Sequence, residues 1–161
     1  MTAPAPAVRD ARHDFDFLHG TWRIDHRRLR ERLTGCQEWD EFSTGLRCQP
    51  VLGGYGNMDE GAFPIQGYHA MSLRLYDERE RTWSIFWITS RSAVIEPPVI
   101  GSFGDDGTGV FLGPDTHNDT PVLVRFLWSG ITSAVARWEQ AFSTDDGKTW
   151  EVNWVMDLTR T

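Results

Sequence analysis

Trp22, Ile24, His26 and Arg28 recur at every second position, so on an extended strand all four project to one side. If the indole of Trp22 points into a core, an imidazole and a guanidinium point there with it. A buried guanidinium is costly unless a partner neutralises it or bonds it. Asn57 and Asp59 share one face of a later segment and are the candidate partners for Arg28. His26, Arg28, Asn57 and Asp59 would then form a polar cluster suited to the carboxylate, carbonyl or hydroxyl end of a small molecule. The same four residues also suit a purely structural ion-pair network, or Arg28 simply reaching water. Trp87, Trp138 and Trp154 offer flat apolar surface to grip a ligand's body. Gln140 is the odd member of the face that carries Ala136, Trp138 and Phe142. Its amide needs partners, from a neighbouring side chain or from a ligand. Ser90 and Arg91 end a strand, where they either touch a ligand at a rim or mark an ordinary strand exit.

Known catalytic patterns are missing. The sequence holds no Gly-x-Ser-x-Gly, no phosphate-binding glycine loop, no His-Glu-x-x-His and no Cys-x-x-Cys. His13, His19, His26, His69 and His117 are scattered without metal-ligand spacing, so no metal is expected. An enzyme reading, as isomerase, cyclase or hydrolase, would have to use His26 or Asp59 as acid or base. Haem held by a single axial His26, His69 or His117 is the one cofactor alternative, and a lone His is more often structural. The expected cofactor is therefore none.

The elements that would position these residues are short strands. Trp22–Leu29, Glu38–Val51, Asn57–Ala62, Tyr68–Tyr76, Thr82–Ser90, Val99–Phe103, Gly109–Leu112, Val122–Trp128, Ala134–Ser143 and Trp150–Leu158 read as strands separated by turn-forming residues. In the last hairpin, Trp150, Val152, Trp154, Met156 and Leu158 share a face that should point inward. Arg125, Arg137, Glu139, Glu151 and Asn153 should then point outward and bridge strands in water. Arg9–Leu18 is the one helical candidate, stopped by Gly20. Sequential hairpins at even spacing predict an all-β, up-and-down antiparallel barrel of about ten strands, preceded by a short helix. A β-sandwich is the rival architecture.

Composition narrows the function classes. The chain has 161 residues, enough for one domain with its own core. Its net charge of −7 argues against nucleic-acid binding, which needs clustered positive charge. The basic run His26–Arg32 is followed by Glu38, Asp40 and Glu41 and reads as a charged hairpin. Cys36 and Cys48 match no zinc pattern and read as free thiols, in keeping with a cytoplasmic location. No apolar run is long enough for a membrane helix. Residues 1–8 read as a disordered Ala/Pro-rich lead without signal-peptide character, and residues 9–161 as the single domain. Eight tryptophans are unusual for this length and fit either a ligand-lined interior or a barrel filled by its own side chains.

At Phe17-Leu18-His19-Gly20-Thr21-Trp22 the chain resembles the lipocalin/calycin superfamily, where a Gly-x-Trp opens the first strand after a short helix. That resemblance implies an up-and-down barrel that binds small, mostly apolar ligands. It also implies that Arg160, late in the last strand, packs across the ring of Trp22. Phe15–Leu18, Leu52-Gly53-Gly54, Gly56–Glu60, Trp138–Ser143 and Gly147–Glu151 are similar to a bacterial family of calycin-like proteins. This second resemblance supports the fold and transfers no activity. The expectation is a binding protein for a small apolar or amphipathic molecule, with no nucleic acid and no membrane insertion. A homodimer is an open option, with outward aromatics such as Phe86 as a face.

Overall fold

Alternation of apolar and polar residues, with bulky rings on the apolar side, drives each segment into an extended strand with one buried face. In the computed structural model, which describes residues 9–161, ten strands form. They are β1 (Gly20–Leu29), β2 (Trp39–Val51), β3 (Gly56–Phe63), β4 (Tyr68–Asp77) and β5 (Thr82–Thr89). They continue as β6 (Val99–Phe103), β7 (Gly109–His117), β8 (Thr120–Ser129), β9 (Val135–Ser143) and β10 (Glu151–Arg160). Each pairs antiparallel with its sequence neighbours, and β1 pairs with β10, so the sheet closes into a barrel. Among the described residues, closure leaves each strand with a partner on both sides and only short stretches of open edge. Among the described residues no helix is long and apolar enough to cross a membrane, a statement that does not touch barrels.

The expected N-terminal helix resolves into two 3-10 turns, Ala11–His13 and Asp16–Leu18. They plug one end of the barrel. Phe15, fully buried, meets Trp83, Phe103, Phe111 and Trp128 with ring centroids 4.9–6.0 Å apart. Most of these contacts are edge-on, the arrangement the ring quadrupole favours. Trp22 is buried beside them, and its Nε1 donates to Leu18 O at 2.8 Å. Arg160 seals this end: its guanidinium lies 4.2 Å from the Trp22 ring. It donates to the backbone oxygens of Ser133, His19 and Phe17 at 2.8, 2.7 and 2.6 Å. The last strand is thereby tied to both the plug and the β8–β9 connection.

Two departures from simple alternation matter. In β10, Val152 pairs with Ala141 but Trp154 pairs with Gln140, so Asn153 is an extra residue in a bulge. The bulge shifts the phase by one position. The expected outward Asn153 is in fact fully buried, and Glu151 lies opposite the inward Phe142. The expected inward Trp150 and Val152 belong to the outer phase, where the Arg125 guanidinium covers Trp150 at 4.5 Å. Arg137 keeps its outward place and pairs with Asp157 at 2.9 Å.

The second departure is β7, which runs five residues beyond the expected Leu112. Gly113-Pro114 reads as a breaker in sequence. Here β6 stops pairing with β7 at Leu112, so Pro114 lies on a locally free edge where its missing N–H costs nothing. On the other side β6 meets β5 only from Trp83 to Ile85. β5 and β7 therefore splay apart toward one end of the barrel, where the exposed segment 90–97 connects β5 to β6.

Candidate functional site

Inward side chains of β4, β5, β8, β9 and β10 leave a cavity of about 130 Å³ above the aromatic plug. Trp87, Phe126, Trp138 and Trp154 wall its middle. Trp154 meets Trp87 and Trp138 nearly at right angles, 5.9 and 5.6 Å away. Ser72, Arg74 and Trp128 lie at the plug end, and Glu96, Pro97, Pro114 and Asp115 at the splayed side. The closed ring thus brings together the three tryptophans named from the sequence, Trp87, Trp138 and Trp154. A roomier groove of about 810 Å³ runs over the outside of β1–β3, past Arg23, Arg47 and Glu60, but a molecule there stays in water.

The polar cluster is arranged differently from the sequence expectation. Asn57 and Asp59 do not pair with Arg28. They hold Arg74 of β4, whose Nη1 lies 2.6 Å from Asp59 Oδ2 and donates to Asn57 Oδ1 at 3.0 Å. The register explains this: Asn57 pairs across the sheet with Arg74, and Asp59 with Ser72. Alternation places Arg74 in phase with Tyr68, Ala70 and Ser72, and that was the signal in the sequence for an inward arginine. The ion pair is buried, with side chains 5% and 4% exposed. The Arg74 guanidinium also stacks against the plug, 5.4 Å from Phe15 and 5.9 Å from Trp128.

Arg74 is nevertheless short of acceptors. Its Nε is sealed from solvent without a partner in the protein, and so is Nε1 of Trp128. Both residues line the cavity. Two unmatched donors at one end of an apolar chamber are unusual, because buried N–H groups nearly always find an acceptor. Asn57 Nδ2 and Asn153 Nδ2 are unmatched as well.

His26 is buried but lies outside the cavity wall. Trp154 Nε1 donates to His26 Nδ1 at 3.1 Å, so the imidazole proton sits on Nε2 and points to Thr44 Oγ1 at 2.7 Å. Phe42 stacks on the ring at 4.4 Å. Burial, followed by the nearby charge of Arg28, pushes the imidazole down to about 4. Both nitrogens are engaged, which leaves His26 no free lone pair for a substrate proton or a metal.

Arg28 reaches the end of the barrel away from the plug. Its guanidinium covers Trp154 at 4.5 Å and Nη1 donates to Tyr68 Oη at 3.4 Å. Ser90 and Arg91 serve the rim: Ser90 Oγ accepts from His69 N at 3.0 Å, and Arg91 Nη2 donates to Gln66 O at 2.8 Å. Gln140 lines the cavity and takes the structural option, donating to Asn153 Oδ1 in the bulge at 2.9 Å. Cys48 is buried beside this interior, and burial pushes its thiol up to about 12. Among the described residues no cluster of His, Cys, Asp and Glu could hold a metal ion.

No family model matches the chain, and no curated protein matches it in sequence. Among solved structures it is similar to an S-type phycobiliprotein lyase, CPES, from Guillardia theta. The TM-score is 0.60 at 14% identity, over 95% of this chain and 93% of that one. At this identity the likeness bears on the fold, the closed antiparallel barrel, and on nothing of the chemistry.

Proposed function

We propose that the chain binds a small neutral ring compound carrying a carbonyl or similar acceptor, held inside the barrel. The observation that carries this reading is the pair of unmatched donors, Arg74 Nε and Trp128 Nε1, carried by two residues that line a chamber walled by Trp87, Phe126, Trp138 and Trp154. The rings supply dispersion and apolar burial, and the donors supply orientation. Charge selects the acceptor. Arg74 is already neutralised by Asp59 at 2.6 Å, so a carboxylate would meet an ion pair of no net charge and the repulsion of Asp59. A carbonyl oxygen accepts both N–H groups without that cost.

Size selects the ligand further. Drug-sized ligands occupy cavities of roughly 300–1,000 Å³. The chamber, at about 130 Å³, is closer to the engineered apolar cavities of about 150 Å³ that take up benzene. One ring with one substituent is the fitting class. The splay between β5 and β7, with Glu96 and Pro97 over it, is the access route. Membership of a bacterial calycin-like family, inferred from segments such as Trp138–Ser143 and Gly147–Glu151, agrees with this reading and assigns no ligand.

The test is a titration of tryptophan fluorescence with acetophenone and, in parallel, ethylbenzene. Saturable quenching by both, with tighter binding of the ketone, is the expected result. Trp128→Phe keeps the ring and removes the donor. It should weaken acetophenone by about tenfold, the worth of one buried hydrogen bond of roughly 1–1.5 kcal/mol, and leave ethylbenzene unchanged. Equal loss of both probes, or no saturation by either, overturns the reading.

A further inference from the structure

Above Trp154, on the far side from the plug, the β1–β2 connection folds over the barrel mouth. Leu33 adopts a left-handed conformation (φ 60°), and its N–H donates to both carboxylate oxygens of Glu151 at 2.9 and 3.2 Å. This clamp fixes the preceding Arg32 over the Phe142 ring at 5.5 Å. Arg28 lies nearby on Trp154 at 4.5 Å. Both arginines line a cup of about 360 Å³ together with Arg30, Glu31, Thr34, His117 and Asn118.

Neither arginine is neutralised. Among the described residues no carboxylate lies within 4 Å of Arg28 or Arg32, whereas the neighbouring Arg30 is held by Glu38 at 2.7 Å and Asp40 at 2.9 Å. Arg32 Nη2 is sealed from solvent without a partner. Burial, then the charge of Arg28, pulls the Arg32 guanidinium down to about 10. The acids whose charge reaches Arg32 are otherwise engaged, Glu151 with Leu33 N and Asp115 with Thr116 N at 2.7 Å, and Glu31, on the lining of the cup, is exposed and pairs with neither arginine. Two like charges backed by aromatic rings keep most of their N–H groups uncommitted: Arg28 spends Nη1 on Tyr68 Oη, and Arg32 Nη2 has no partner. That is the geometry in which guanidinium forks grip an oxyanion.

We propose that this cup is a binding site for an oxyanion, a carboxylate or phosphate group, gripped between Arg28 and Arg32. The site stands apart from the ring-binding chamber, which Trp154 and Arg28 separate from it. It therefore holds or falls without the ketone reading.

The experiment follows thermal unfolding of the full chain with inorganic phosphate, acetate and, as control, chloride at matched ionic strength. Phosphate or acetate at ten times its Kd should raise the midpoint by roughly 3–6 °C and saturate. Response to acetate alone identifies a carboxylate site, and response to phosphate identifies a phosphate site. Arg32→Gln and Arg28→Gln should each abolish the rise. Arg32→Gln removes half of a repulsive pair and leaves Arg28 on Trp154 and Tyr68, so it should not lower the midpoint in the absence of the anion. Arginine Nε–H resonances of the native protein give a second readout, with saturable shifts confined to Arg28 and Arg32. Equal stabilisation by chloride, a rise retained in Arg32→Gln, or shifts spread over exposed arginines overturns the proposal.

Discussion

Replacing Arg74 with Met tests how the interior is held together. Arg74 and Asp59 are almost fully buried and 2.6 Å apart, and the same guanidinium satisfies Asn57 Oδ1 at 3.0 Å. Removing one partner of a buried pair costs roughly 3–5 kcal/mol, because the other charge is left without compensation. The stranded Asn57 oxygen adds up to about 1–3 kcal/mol. For a domain of this size each kcal/mol moves the unfolding midpoint by about 2–4 °C. Arg74→Met should therefore lower it by at least roughly 6 °C. Removing both charges is different: apolar replacements of a buried pair are often neutral or stabilising. Arg74→Met/Asp59→Leu should recover most of the loss, with Asn57 accounting for the remainder. Urea unfolding followed by near-ultraviolet circular dichroism gives both numbers and the coupling between the sites. A single variant within about 1 kcal/mol of the parent, or a double variant less stable than Arg74→Met, would refute the assignment of an interdependent buried pair.

Three further expectations follow from the geometry. His26 is held neutral down to about pH 4 while an unfolded imidazole titrates near 6.5. The unfolded chain then binds more protons in that window, so stability is full above about pH 6.5 and falls toward pH 4, by about 3 kcal/mol from this group; unfolding curves of His26→Gln should be flatter over the same range. Gly101→Ala places a Cβ 1.9 Å from Val110 O, a backbone atom that cannot step aside, so soluble yield and midpoint should both drop sharply; a normal midpoint would mean that β6 and β7 are not in this register. Cys48 is buried with its thiol raised to about 12, whereas Cys36 is only half-buried, so a thiol reagent should label Cys36 alone in the native protein and both only after denaturation.

Much of the fold was legible because one anchor sets the phase. Counting by twos from Trp22 correctly places Ile24 and His26 inside, and turn residues mark most hairpins within a residue or two. The resemblance at Gly20-Thr21-Trp22 implied the Arg160 contact, which the structure contains. What alternation cannot report is an inserted residue. Asn153 offers no local sign of a bulge, and from it back to Trp150 every assignment fell on the wrong side. Nor can it report which strands sit side by side at which offset. Arg28 and Arg74 are both inward arginines, and only the β3–β4 register decides that Asn57 and Asp59 belong to Arg74. The length of β7 was hidden for a related reason. Pro114 breaks a ladder in the middle of a sheet, and nothing local says that β6 has already ended there.

The wall closes where β1 meets β10, so Trp22 pairs with Arg160 across all the intervening strands. A ribosome must deliver all ten strands before that seam can form, and loop closure over such separations is slow. Until then β1 and β9 each present a raw, unsatisfied edge, and a tenth strand from another molecule can fill the vacancy as well as the chain's own. Crowded refolding should therefore yield exchanged dimers, and dilution should favour the monomeric ring.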